Sequence, residues 1–138
     1  MINTIARSIT SVALALIVAF ALVVGVEGLS ALLHPWPADF AGSPEEVLEQ
    51  VATYPAWVLL ILAGVGWGST MLISTYLATR LSSNRHPAHG YGVGLFLLAM
   101  VVFNMSMLPY PNWLWVLNLL VLPAAAYFGT ALGRAKPA

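Results

Sequence analysis

The chain of 138 residues is 60% hydrophobic and 7% charged, with a mean hydropathy of +0.88. Soluble domains carry roughly 25% charged residues, so this composition cannot cover a water-facing surface, and the expected class is an integral membrane protein. Five basic and five acidic residues cancel, which argues against a nucleic-acid surface or a polybasic lipid-binding patch; the absence of cysteine removes disulfides, thiol redox chemistry, iron–sulfur clusters and thiolate metal sites.

A short head, Met1 to Ser8, holds one cation, Arg7. An uncharged apolar run then extends from Ile9 to Val26. Continued through Glu27 to Leu33 it is long enough to cross a bilayer, and the first span is placed at about residues 9–33. Ala19-Phe20-Ala21 mimics a signal-peptidase site, but the run stays apolar beyond it and exceeds a signal-peptide core, so the segment is expected to be retained. Pro35 and Pro37 end the helix, because neither has a backbone N–H and each pushes its predecessor out of helical geometry. Trp36 between them suits a membrane interface.

Ser43-Pro44-Glu45-Glu46 reads as a helix start. Ser43 is the N-cap, Pro44 takes the first helical position, and Glu46 closes a capping box. The helix expected at about residues 44–53 has Val47, Leu48 and Val51 on one side and Glu45, Glu46, Glu49 and Gln50 elsewhere. Such an amphipathic segment lies on the membrane surface or packs across the mouth of a bundle.

Pro55 restarts the chain, and the second span is placed at about residues 56–79. Gly64, Gly66, Gly68, Ser69, Thr70, Ser74 and Thr75 crowd its middle; Gly64 and Gly68 have the spacing that lets two helix backbones approach. Arg80 to His89 is polar and reads as a loop. A third span follows at about residues 91–108, then a tight turn, Pro109-Tyr110-Pro111-Asn112, and a fourth span at about residues 113–133. Pro123 predicts a kink in the last helix, and Gly129 and Gly133 repeat the small-residue spacing. The expected fold is all-α: one domain, an antiparallel four-transmembrane-helix bundle with a short amphipathic helix in its outer loop. Arg7, Arg80, Arg85, Arg134 and Lys136 fall in the head, the second loop and the tail, while every acid but Glu27 lies in the first loop. The positive-inside rule then places both termini in the cytoplasm and the acidic loop outside the cell (inner) membrane.

The candidate site centres on the stretch Val26 to Phe40. Glu27 is the one acid inside an apolar span, and Ser30 and His34 share its helix face at i+3 and i+7. An intramembrane carboxylate marks a function or a structural pairing. Glu27 and His34 are about 10 Å apart along the helix axis, so they either line one vestibule or pair across to other helices. Asn104 and Asn118 sit at a similar depth on the third and fourth spans and extend this to an outward-facing polar cluster, which serves either as interhelical glue or as a ligand or proton site. Trp67, deep in the second span, requires an acceptor for its indole N–H. Haem ligation is excluded by depth, because His34 lies at the outer end and His86 and His89 at the inner side. Two loop histidines without a third ligand make no metal site. No nucleophile–base constellation, phosphate loop or zincin motif occurs, so neither enzyme activity nor a cofactor is expected.

The segments His34-Pro35-Trp36-Pro37-Ala38-Asp39-Phe40, Tyr54-Pro55-Ala56-Trp57-Val58 and Phe103-Asn104-Met105-Ser106-Met107-Leu108-Pro109-Tyr110-Pro111 resemble a group of small uncharacterised four-span bacterial inner-membrane proteins. That resemblance covers most of the chain and implies a fold without an activity. Small multidrug exporters also place one Glu in the first of four spans, but they are shorter and tightly looped, whereas Glu27 here lies near the outer end of its span. Two functions follow as expectations. The first is a structural or accessory membrane subunit in a homo-oligomer or larger membrane complex; the second is a small proton- or cation-coupled binding or transport unit using Glu27. A dry, fully paired Glu27 favours the first, and a water-filled cavity reaching Glu27 favours the second.

Overall fold

The computed structural model describes residues 2–135, and every regular element among them is helical. Helix α1 spans Ile2–Leu33, α2 spans Pro44–Ala52, α3 spans Ala56–Leu81, α4 spans Pro87–Met107 and α5 spans Asn112–Arg134. Four of these, all but α2, are long and apolar enough to cross a membrane. The head folds as part of α1, since nothing between Asn3 and Ser8 breaks a helix. Arg7 Nε donates to Leu81 O at 3.1 Å, so the start of α1 meets the end of α3 and the two run antiparallel.

α3 is the central helix: 44% of its most apolar window is buried, against 33% for α5 and 22% for α1 and α4. Its small and hydroxylated residues explain this position. Gly129 and Gly133 of α5 lie directly on the α3 backbone; a Cβ at Gly133 would stand 2.8 Å from Tyr76 O. A Cβ at Gly129 would overlap Leu72 O and the Thr75 hydroxyl. Most of the buried hydroxyls of α3 bond back to carbonyls of their own helix, although Ser74 Oγ has no partner among the described residues. Thr75 Oγ1 donates to Met71 O at 2.9 Å, Thr79 Oγ1 to Thr75 O at 3.0 Å and Ser82 Oγ to Thr79 O at 2.8 Å. Of the pair Gly64 and Gly68, only Gly68 is enclosed, by Val121 at 3.4 Å from a built Cβ; nothing approaches Gly64 within 4 Å.

Within α3, residues Ile61–Trp67 form a π-helical stretch. Three glycines in this region, Gly64, Gly66 and Gly68, weaken the ordinary helical preference. The contact that anchors the stretch is Gly66, where a Cβ would come within 2.8 Å of Val26 on α1. Ser69 Oγ and Thr70 Oγ1 both donate to Gly66 O, at 3.0 and 2.9 Å.

The capping box at the start of α2 is formed: Glu46 N donates to Ser43 Oγ at 3.2 Å, and Ser43 N donates to the Glu46 carboxylate at 3.0 Å. The connection between α3 and α4 is shorter than the polar stretch Arg80 to His89. α3 continues to Leu81, and α4 restarts at Pro87 with His86 as its cap, the imidazole Nδ1 accepting from Ala88 N at 3.2 Å. α5 is assigned as unbroken helix through Pro123.

Candidate functional site

α1 and α4 both lean on α3, and they meet each other only over part of their length. At the arginine-bearing end Ala15, Ala78 and Val93 share one core cluster, flanked by Leu16 and Leu97. Towards the acidic end the two helices part. There α1 packs on α3 through Val26, Val58 and Leu62, while α4 sends Met105 against Leu59, Ala63 and Leu114. The gap between them is a cleft of about 550 Å³, within the range of small-molecule sites.

One stripe of α1, Leu16, Ala19, Phe20, Val23 and Glu27, forms one wall, and Leu97, Met100, Val101 and Asn104 of α4 form the other. Both are i, i+3/i+4, i+7 series, so each places its polar member on the same face as its apolar ones. Trp67, Thr70 and Met71 of α3, with Leu122 of α5 behind, make the floor. From Leu16 to Glu27 the wall is about 16 Å long at 1.5 Å per residue. Glu27 and Asn104 are both exposed to the cleft, and among the described residues neither side chain has a hydrogen-bond partner. The Trp67 indole likewise has no acceptor among them. Glu27 is the cleft's single carboxylate, and one carboxylate with one carboxamide falls short of the ligand set of a metal cage.

The other two predicted site residues lie elsewhere. His34 closes the junction of α1 and α2, with Nε2 2.9 Å from Thr53 Oγ1 and its ring centred 4.7 Å from that of Tyr54. Gln50 Nε2 completes that junction by donating to Pro35 O at 3.1 Å. Asn118 is buried, its Nδ2 donating to Leu114 O at 3.1 Å and directed at Met105 Sδ at 3.4 Å. Its Oδ1 has no partner. Depth therefore brings Glu27 and Asn104 together, while helix face separates them from Asn118, and two turns of helix separate them from His34.

Tyr110, which the sequence analysis read only as part of a turn, stands behind the cleft floor and packs on Trp67. Its ring meets Trp67 edge-on with centroids 6.1 Å apart. Burial pushes its phenol above the ordinary tyrosine value, and its proximity to the Glu27 carboxyl and the Tyr54 phenol acts in the same direction. The signal for Tyr110 was its place between Pro109 and Pro111, whose fixed φ angles limit where the ring can point.

Four apolar helices around a lateral cleft define a multi-pass, helical-bundle membrane protein. Compared with protein-family models, with curated proteins and with solved structures, the chain matches none. Function must be read from the cleft itself.

Proposed function

We propose that this chain is a small, non-enzymatic binding unit of the bacterial inner membrane. It takes the apolar body of an amphipathic molecule into the α1–α4 cleft and holds a cationic or proton-bearing head at Glu27 and Asn104. Both termini are cytoplasmic in this reading, because the arginines gather at one end, so the cleft opens sideways into the outer half of the bilayer. The observation that carries the proposal is the unpaired Glu27 carboxyl on an otherwise apolar groove. Were Glu27 only a packing residue, an intramembrane carboxyl would be enclosed and hydrogen-bonded; instead it faces space large enough for a ligand. Coupling to a proton or cation follows from the same group, since binding a cationic head displaces whatever Glu27 held before.

The test uses medium-chain alkyl probes that differ only in the head: an amine, an alcohol and a carboxylate. The thermal midpoint of the purified protein in mild detergent should rise most with the amine. Glu27→Gln should erase the preference, and Met100→Trp, which fills the groove from an exposed position, should reduce the response to every head. Equal responses to all three heads, or an amine preference that survives Glu27→Gln, would sink the proposal. A polypeptide crosslinked from Met100 in whole membranes would instead favour the accessory-subunit reading, with a partner helix in the cleft.

A further inference from the structure

Charge on this chain is divided by end. Glu27, Asp39, Glu45, Glu46 and Glu49 lie from the late part of α1 to α2. Arg7 bonds the end of α3, and Arg80 and Arg85 bond the end of α5. The net charge of zero averages over these ends, so it does not exclude a local basic site. Arg80 Nη1 donates to Ala135 O at 2.7 Å, and Arg85 Nη1 donates to the same oxygen at 3.1 Å. Two guanidinium groups thus converge on one carbonyl, and among the described residues no carboxylate stands near them to offset the repulsion. Arg85 is also held at φ 51°, a left-handed conformation that costs any residue with a Cβ and suits glycine.

Beside this pair opens a pocket of about 520 Å³ lined by Ser83, Asn84, Arg85, His86, Pro87 and Arg134. Its donors are available. The Arg134 guanidinium has no hydrogen-bond partner among the described residues. Asn84 Oδ1 accepts from His86 N at 3.2 Å, which leaves the amide N–H groups of Asn84. His86 Nδ1 accepts from Ala88 N, which puts the ring proton on Nε2.

We infer that this pocket binds a phosphate-bearing anion, delivered as the headgroup of an anionic phospholipid. Planar guanidinium forks match phosphate oxygens in pairs. The pocket also lies at the ends of three apolar helices, α3, α4 and α5, where a headgroup layer begins, and basic pockets between spans on one side of a bilayer suit anionic lipid. The site is separate from the cleft and does not depend on what fills it.

The experiment compares thermal midpoints of the full chain in mild detergent with added short-chain phosphatidylglycerol, phosphatidylcholine or inorganic phosphate. Phosphatidylglycerol should raise the wild-type midpoint by several degrees more than phosphatidylcholine. That advantage should shrink at high salt, as the Debye length falls from about 10 Å at 0.1 M to about 3 Å at 1 M. Arg134→Gln should lose most of it. Arg85→Gly relieves the left-handed backbone while Arg80 still caps Ala135, so its midpoint without lipid should hold or rise even as the lipid response disappears. Equal effects of the two lipids, or a response unchanged in both variants, would overturn the inference. Inorganic phosphate matching phosphatidylglycerol would overturn the lipid source and reassign the pocket to a soluble phosphate.

Discussion

Replacing Gly129 with alanine tests the packing of the bundle most directly. A methyl group there would overlap Leu72 O and the Thr75 hydroxyl. The hydroxyl can rotate, but Leu72 O is backbone in the central helix, so only separation of α5 from α3 relieves the clash. Forcing a methyl into a filled interface typically costs about 1–3 kcal/mol. Gly133, one turn on, faces Tyr76 O and Thr79 in the same way, so the two contacts loosen together and a double variant should cost less than the sum. The control is Gly92, near the start of α4, where a built Cβ meets nothing within 4 Å. Alanine there should gain up to about 0.5–1 kcal/mol from helix preference alone. The same Gly→Ala change should therefore have opposite signs at the two sites, separated by roughly 1.5–4 kcal/mol. Thermal or denaturant unfolding in one detergent reads the difference. A Gly129→Ala midpoint at or above wild type would refute the close-packed glycine face.

Further predictions concern Glu27, Glu46 and the direction of insertion. If Glu27 is a binding group left unpaired within the chain, Glu27→Leu should stabilise the ligand-free protein by about 1–3 kcal/mol, since an intramembrane polar group is removed; a lowered midpoint would return Glu27 to a packing role. Glu46 accepts from the backbone N–H of Ser43 first and of Ala41 next, which holds its carboxyl below the ordinary value of 4.5. Because the folded value is the lower one, the cap is at full strength above about pH 4.5 and is lost as pH falls through the folded value. Amide exchange at Ala41, Ser43 and Val47 should accelerate, relative to intrinsic rates, between about pH 6 and about pH 3, and a Glu46→Gln variant with the same acid response would contradict this. Reporter fusions after Arg85 should score cytoplasmic and fusions near Gly42 external; a cytoplasmic Gly42 fusion would reverse the bundle in the membrane.

The helices were legible because their signals are local. Proline pairs end α1, Ser43 and Glu46 cap α2, and uncharged apolar runs leave no other use for α3, α4 and α5. Local signals also explain the errors at helix ends: the polar residues around His86 read as loop, yet Pro87 behind a capping side chain starts a helix. The candidate site was half legible. Glu27 and Asn104 stand out in any apolar span, but depth along a helix is countable from sequence and the face presented to a neighbour is not. Asn118 has the right depth and the wrong face, whereas His34 shares the face of Glu27 but lies two turns further along. The glycines make the same point. Gly64 and Gly68 carry the close-packing spacing, yet the π-helical turn Ile61–Trp67 changes the rotation per residue between them, and only Gly68 is left in an interface. Gly129 and Gly133, on a regular helix, keep both.

The cleft and the tight half of the bundle have one origin in the composition of α3. From Met71 to Ser82 its buried positions hold residues no bulkier than threonine apart from Met71 itself, and hydroxyls that bond back to the helix present little more than a methyl to their neighbours. α5 and α4 therefore close on that half through Gly129, Gly133, Gly90 and Gly94. Above Met71 small residues still seat α1 and α5, Gly66 against Val26 and Gly68 against Val121, but Trp67 lies in the cleft floor, and Leu59 and Leu62 turn to opposite neighbours. α1 and α4 touch at the thin end of this support and diverge on the side where Trp67 stands. A polar group at the wide end of such a wedge is reached by the bilayer and by any molecule dissolved in it. On the binding-unit proposal, that geometry is what lets a bilayer-dissolved molecule reach Glu27 without a water-filled pore.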